Sequence, residues 1–165
     1  MKKNEKVLNR PSSSSLSTMP KAQVSIFAAA SVGRLSNLFP RWMSVHVEKE
    51  HGIASSRLMI MWILLNEGTL PIGQLAKLID LTPRALTRIV DGLESNGYAM
   101  RKPEKTDKRA VNVELTKNGR AFFDEIALDV TSKFEALFNV LDKREIVELS
   151  RIIEKLTDHM KSQIS

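Results

Sequence analysis

The sequence contains no cysteine, which excludes disulfide bonds, thiolate metal sites and redox sensing through a thiol. No apolar run reaches the roughly 18 residues that a membrane-spanning helix needs, so no membrane partner is expected. The amino terminus lacks the apolar stretch of a signal peptide, which favours a cytoplasmic location. Aromatic residues are scarce at 5%, but a hydrophobic fraction of 42% over 165 residues predicts one globular domain with a real core.

Motifs of catalysis are missing too. None of the histidines, His46, His51 and His159, has a carboxylate at a metal-ligand spacing in the sequence. Neither a nucleophile elbow, a phosphate-binding loop nor a dinucleotide fingerprint is present. We therefore predict that the protein is not an enzyme and has neither a metal site nor a cofactor.

Positive charge is in excess and unevenly placed. The net charge is +6. Residues 98–110 carry five basic residues against two acidic ones, and residues 1–22 carry five against one. The other residues together are therefore close to neutral. Such focused charge favours a polyanionic partner. Only residues 98–110 count as evidence for it, because the Ser-rich leader over residues 1–21 has the composition of a disordered segment. A basic arm that touches DNA phosphates is the other interpretation of this leader.

The chain is organised around residues 82–119. Thr82 is a good N-cap and Pro83 suits the first helical position. An apolar stripe at helical spacing follows, and Gly97 supplies a left-handed helix end. The members of the stripe are Leu86, Ile89, Val90 and Leu93.

Two short strands come next, over residues 98–102 and 110–115, and a polar, basic loop joins them. Upstream, residues 71–79 have helical spacing, and Asp80-Leu81 predicts a tight turn. Two short helices joined by such a turn form a DNA-reading unit. The whole pattern predicts a winged helix-turn-helix.

Long helices are predicted on both sides of this unit. Residues 22–50 form the first, with a kink or break at Pro40. Residues 53–66 form the second, capped at Ser55 and ended by Gly68, with Trp62 among its buried residues. A helix over residues 116–138 begins at Thr116. In the last helix, Asp142 and Glu145 resemble a capping box.

The last helix carries a heptad seam, which needs a partner helix. Its members are Ile146, Leu149, Ile153, Leu156 and Met160. A two-fold dimer is the natural way to bury it, and an intramolecular helix bundle is the alternative. We predict a mainly α fold with a small β-hairpin wing (α+β). Its parts are the leader at 1–21, an N-terminal dimerisation region at 22–52, the winged domain at 53–116 and C-terminal dimerisation helices at 117–165.

Several of these segments resemble the MarR family of bacterial transcription regulators. The strongest likeness runs from Asp107 to Gly119, where Asp-x-Arg, an apolar strand and Leu-Thr-x-x-Gly follow one another. Leu93-Glu-x-x-Gly97 and Arg101 also fit. Arg57 departs from the pattern because family members often have Gln there, and Pro40 is unusual as well. The resemblance implies a homodimeric regulator, expected to be a repressor, that binds an inverted repeat of double-stranded DNA.

The resemblance also implies which residues contact DNA. Arg84 and Arg88 are expected to read the major groove, although Arg84 also fits a plain solvated charge. Arg109 is expected in the minor groove, with Asp107 orienting an arginine. The wing lysines are expected to neutralise phosphates, and a merely solubilising loop is the alternative. The full predicted set is Thr82, Arg84, Thr87, Arg88, Arg101, Lys102, Lys105, Asp107, Lys108 and Arg109.

A small aromatic or anionic effector between the dimerisation helices and the winged domain is a further implication of the resemblance. The dimer can hold its two DNA-reading helices at different spacings. Such a ligand must bind more tightly at one spacing than at another. The predicted lining is Trp42, His46, Met59 and Trp62, with Arg41 or Arg57 pairing an anion. Ordinary core packing is the alternative interpretation of these side chains. The alternative function is a winged-helix module for protein–protein contact, without an effector.

Overall fold

The computed structural model describes residues 11–103 and 111–164 as helices packed around a small sheet. The helices are α1 (Ser13–Thr18), α2 (Lys21–Met43), α3 (Lys49–His51), α4 (Ser55–Glu67), α5 (Ile72–Leu78), α6 (Pro83–Ser95), α7 (Lys117–Phe138) and α8 (Lys143–Ile164). The strands are β1 (Leu70–Pro71), β2 (Ala99–Pro103) and β3 (Val111–Leu115), in the antiparallel order β1-β3-β2. The predicted fold class is confirmed. Of the described helices, none is long and apolar enough to cross a bilayer.

Helix α4 lies at the centre of the core. Its buried residues are Leu58, Ile60, Met61, Ile63 and Leu64. The prediction that Trp62 is buried with them is wrong, since 57% of its surface is exposed. The five buried positions already cover the inward side of the helix, so Met59 and Trp62 are left on the outer side.

The sheet sets the position of the wing. Strands β2 and β3 pair from Ala99 opposite Leu115 to Pro103 opposite Val111. Strand β1 was missed in the sequence because two residues are too few for an alternating pattern. Pro71 is tolerated there because β1 is an edge strand, where a missing N–H leaves no ladder bond unmade.

Local capping follows the sequence closely. The hydroxyls of Thr82 and Thr116 accept the N–H groups of Ala85 and Gly119, at 3.2 and 2.9 Å. The capping box of α8 is complete. Asp142 Oδ1 accepts the Glu145 N–H and Glu145 Oε2 accepts the Asp142 N–H, both at 2.9 Å. Gly97 ends α6 with φ of 69°.

The prediction that Ser55 caps α4 is wrong, because the carboxylate of Glu48, just before α3, accepts the hydrogen bond at this helix start. Ser55 is the first helical residue, and its N–H donates to Glu48 Oε1 at 2.7 Å. This backbone hydrogen bond holds the pKa of Glu48 below its usual value. Glu48 thereby joins the end of the N-terminal helical region to the start of the winged domain.

Pro40 neither ends nor breaks the first long helix. Helix α2 continues through it to Met43, and a π-helical turn over Ser44–Glu48 then leads into α3. Ser36, one turn before Pro40, is exposed, so water can satisfy the carbonyl that loses its partner. The predicted end near Gly52 is confirmed, with φ of 66°.

The leader is partly helical, which corrects the expectation of a leader without regular structure. Ser12 caps α1 by accepting the Ser15 N–H at 3.2 Å. The same serine-rich composition that lowers helix propensity supplies this cap. Residues 1–10 lie outside the described residues, and the domain boundaries stay predictions.

Candidate nucleic-acid interface and effector cavity

Helix α6 presents one polar stripe to solvent. Leu86, Val90 and Leu93 are fully buried on the opposite side. The stripe residues are spaced i, i+3, i+4 and i+7, so they lie one above another along the helix. They are Arg84, Thr87, Arg88 and Asp91, and all are exposed. This is the geometry of a helix that inserts one face into a groove.

The two arginines of the stripe are available for a ligand. Within residues 11–103 and 111–164, neither Arg84 nor Arg88 has an ion-pair partner. The two threonines predicted to contact DNA, Thr82 and Thr87, already make hydrogen bonds within the helix. Thr82 caps it, and the Thr87 hydroxyl donates to the carbonyl of Pro83 at 2.8 Å. The guanidinium groups are therefore the strongest candidates for reading a base edge.

Arg101, at the root of the wing, lies against α6. Its guanidinium pairs with both Glu94 and Asp91, the latter at 2.7 Å, and donates to the carbonyl of Thr87 at 3.3 Å. Its backbone N–H donates to Glu94 Oε1 at 2.8 Å. Only 26% of its side chain is exposed. Arg101, predicted as a DNA contact, is thus bound to three residues of its own α6.

Lys102 also has an internal partner. Its ammonium lies 2.5 Å from Glu114 Oε1 on the neighbouring strand, and the other oxygen of Glu114 accepts the Thr69 hydroxyl at 3.1 Å. The hydrogen bond from Lys102 lowers the pKa of Glu114. The remaining predicted contacts, Lys105, Asp107, Lys108 and Arg109, lie outside the described residues.

The same region matches a known family of sequences. A sequence model described as the MarR family matches residues 53–111. This range runs from the residues before α4, through α6, which we call the reading helix, to the wing. Over these residues the chain is similar to the MarR family. The resemblance inferred from the wing and the helix-turn-helix is thereby confirmed.

Two curated relatives and one solved structure show how far this likeness extends. YkoM of Bacillus subtilis, an uncharacterised HTH-type transcriptional regulator, is 27% identical over 70% of this chain and 75% of its own. MdtR of the same organism, a transcriptional repressor, is 23% identical over 66% of this chain and 70% of its own. The structure of reduced AbfR bound to DNA superposes with a TM-score of 0.67. The two sequences are 25% identical, and the superposition covers 87% of this chain and 96% of AbfR.

A cavity of about 400 Å³ opens between α2, α4 and α7. Its walls are almost entirely apolar, and the polar groups of its lining side chains are the hydroxyls of Ser55 and Ser56 and the indole N–H of Trp62. The larger side chains that line it are Phe39, Met43, Met59, Trp62, Phe123 and Phe134. The cavity adjoins Ser55, the residue that Glu48 caps, so a ligand here would contact the junction of the two regions.

The predicted effector residues divide between separate places. Met59 and Trp62 line this cavity, whereas Trp42 and His46 line a smaller hollow with Lys133. The rings of Trp42 and His46 are stacked with centroids 4.8 Å apart. Arg57 packs on α6, where a Cβ added to Gly92 would lie 2.3 Å from its guanidinium. Arg57 and the exposed Arg41 are not among the residues that form either wall in the described structure.

A charged cluster that sequence spacing did not reveal joins α3 to α7. His51 Nε2 lies 2.7 Å from Asp129, and Lys133 donates to Asp129 and, at 2.6 Å, to Glu50. Donor atoms of Glu50, His51 and Asp129 lie within 4.8 Å of one another, close enough to surround a cation. Because the Lys133 ammonium bonds to both carboxylates, it already supplies that positive charge. These contacts lower the pKa of Asp129 and raise that of Lys133.

Proposed function

We propose that the protein is a DNA-binding transcriptional regulator that binds an inverted repeat as a homodimer and acts as a repressor. The observation that carries the proposal is a pair of exposed arginines on one stripe of α6, beside the wing, that have no ion-pair partner among the described residues. The match of residues 53–111 to the MarR family model and the likeness to the DNA-bound structure of AbfR support the same function. Two copies would present their reading helices about 34 Å apart, one turn of the duplex.

Selection of bound duplexes from a random pool tests this function directly. We expect an inverted repeat, and we expect Arg88→Ala to weaken binding to the selected site by about 1–3 kcal/mol. Arg144→Ala on α8 is the control, since it removes an equal charge far from the reading helix. A protein that selects no duplex at low ionic strength does not have this function. Equal losses in both variants would mean that Arg88 acts only through net charge.

We further propose that the effector is an uncharged, largely apolar molecule that binds the cavity between α2, α4 and α7. An anion in this cavity would lose its water without gaining a cationic partner among the described lining residues, which is costly. The nearest cation in the neighbouring hollow, Lys133, is already bound to two carboxylates. The expectation of an aromatic ligand is kept, whereas an anionic one fits these walls poorly.

A matched pair of probes tests the charge of the effector. We expect 2-naphthol to raise the melting temperature by about 4 °C at ten times its Kd and to weaken DNA binding. We expect 2-naphthoate, of similar shape but charged, to do neither. In a Trp42→Phe background, Trp62 is the remaining tryptophan, so its fluorescence reports occupancy of the cavity. Tighter binding of the naphthoate would contradict the proposed ligand class.

A further inference from the structure

The side chain of Arg101 joins strand β2 of the wing to the reading helix α6. Arg101 lies at the middle of β2, and its two terminal nitrogens meet α6 at three residues. Nη1 binds Glu94, and Nη2 binds Asp91 and the carbonyl of Thr87. A guanidinium is planar and its N–H groups form a fixed fork, so such pairs define an orientation as well as a distance. Arg101 therefore fixes how β2 lies across α6.

These contacts leave little of the arginine for DNA. Both carboxylates and the carbonyl take N–H groups from the same guanidinium, and only 26% of the side chain is exposed. Asp91 belongs to the solvent-facing stripe of α6, where an unneutralised carboxylate would repel phosphates. Pairing with Arg101 offsets that charge within the protein.

The next residue follows the same pattern on the sheet side. Lys102 binds Glu114 on β3, which also accepts a hydrogen bond from Thr69 just before β1. Both basic residues at the root of the wing are thus bound to internal carboxylates. The cations that remain for DNA in the described residues of this unit include Arg84 and Arg88 on α6.

We propose that Arg101 is a positioning residue, which fixes the angle between wing and reading helix through Glu94 and Asp91 and makes no contact with phosphate. This inference rests on the proposed DNA-binding function. It reassigns a residue that the sequence placed among the DNA contacts. The wing tip, which includes Arg109, would then reach the minor groove only while Arg101 holds the strand on α6.

Glu94→Gln gives the decisive test because two explanations predict opposite signs. If Arg101 only contributes charge to DNA binding, removing a carboxylate beside it should strengthen binding. If Arg101 positions the wing, the same change should weaken binding about tenfold. The measurement is Kd for the selected duplex, well below the melting temperature of each variant.

The salt dependence of binding separates positioning from phosphate contact. We expect Arg101→Gln to weaken binding without altering the slope of log K against log salt. Lys105→Ala is the comparison, since the sequence predicts that this wing lysine neutralises a phosphate, and it should lower that slope by about 0.9. Arg101→Lys keeps the charge but not the fork, so it should not restore affinity.

A double-mutant cycle tells positioning from general loss of structure. With Arg109→Ala as the second change, the Glu94→Gln effect should almost disappear, because the wing contact it orients is already gone. Additive effects, rescue by Arg101→Lys or a slope lowered by about 1 in Arg101→Gln would each overturn the inference. If the unaltered protein binds no duplex at all, the proposed function fails first, and the two failures are thereby distinguishable.

Discussion

Replacing Gly119 by alanine is expected to destabilise the protein by about 3 kcal/mol, at the upper end of the usual range for overpacking. Gly119 is buried in the first turn of α7, where the helix passes directly over the chain that enters β2. A Cβ at this position would lie 2.0 Å from the carbonyl oxygen of Tyr98, well inside contact distance. Alanine therefore cannot be accommodated without moving backbone.

The surrounding contacts make that movement costly. The Tyr98 carbonyl accepts the N–H of Thr116 at 3.0 Å, and the hydroxyl of Thr116 donates to the carbonyl of Gly97 at 2.6 Å. The rings of Tyr98 and Phe122 stack with centroids 4.5 Å apart. Separating α7 from residues 97–98 would break these contacts together, so the site cannot relax through one flexible side chain.

Gly73 provides the matched control within the same protein. It lies in α5, is exposed, and an added Cβ there would meet nothing within 4 Å. We expect Gly73→Ala to be neutral or to stabilise by up to about 1 kcal/mol, because alanine loses less entropy in a helix. Urea denaturation at one fixed protein concentration measures both variants. A Gly119→Ala midpoint equal to that of Gly73→Ala would contradict the close approach.

Features set by neighbours in the chain could be predicted from the sequence. Thr82, Thr116 and the Asp142–Glu145 box are caps whose partners lie three residues away. The apolar stripe of α6 depends only on helical spacing, and the left-handed end at Gly97 only on residue type. Such features need no knowledge of the tertiary fold, and they were sufficient to locate the reading helix and the wing.

Features set by distant pairs could not be predicted in this way. Lys133 meets Glu50 across 83 positions, and only the fold shows that its ammonium occupies a possible cation site. Arg57 was expected in the effector cavity, but the missing side chain of Gly92 gives it a place on α6. Arg101 was grouped with the DNA contacts because its charge was visible in the sequence, whereas its partners on α6 were not.

Helix α8 has an apolar face that the described chain does not cover. None of its residues is buried, and Ile153 and Leu156 in the predicted seam are 48% and 46% exposed. The middle of α2 is similar, with Val32 at 50% and Leu35 at 55%. The alternative of an intramolecular bundle would bury these side chains within one chain, and residues 11–103 and 111–164 do not bury them. A second copy is the occupant that the proposed function requires.

Ile153→Glu is therefore expected to convert the dimer to a monomer and to weaken binding to the inverted repeat by about 100-fold or more. A charge in a helix seam loses its water without a partner, which opposes association. A monomer contacts one half-site and loses the gain from joining two binding events. Light scattering after size exclusion gives the mass, and Kd for full and half sites gives the affinity.

Lys155→Ala changes the net charge by the same amount at an outer position of α8, so it should remain dimeric. Circular dichroism checks that Ile153→Glu stays helical, with Leu156→Gln as a milder second variant. If both variants remain dimeric and bind the full site normally, the seam of α8 does not join the two copies, and the exposed face of α2 must do so instead.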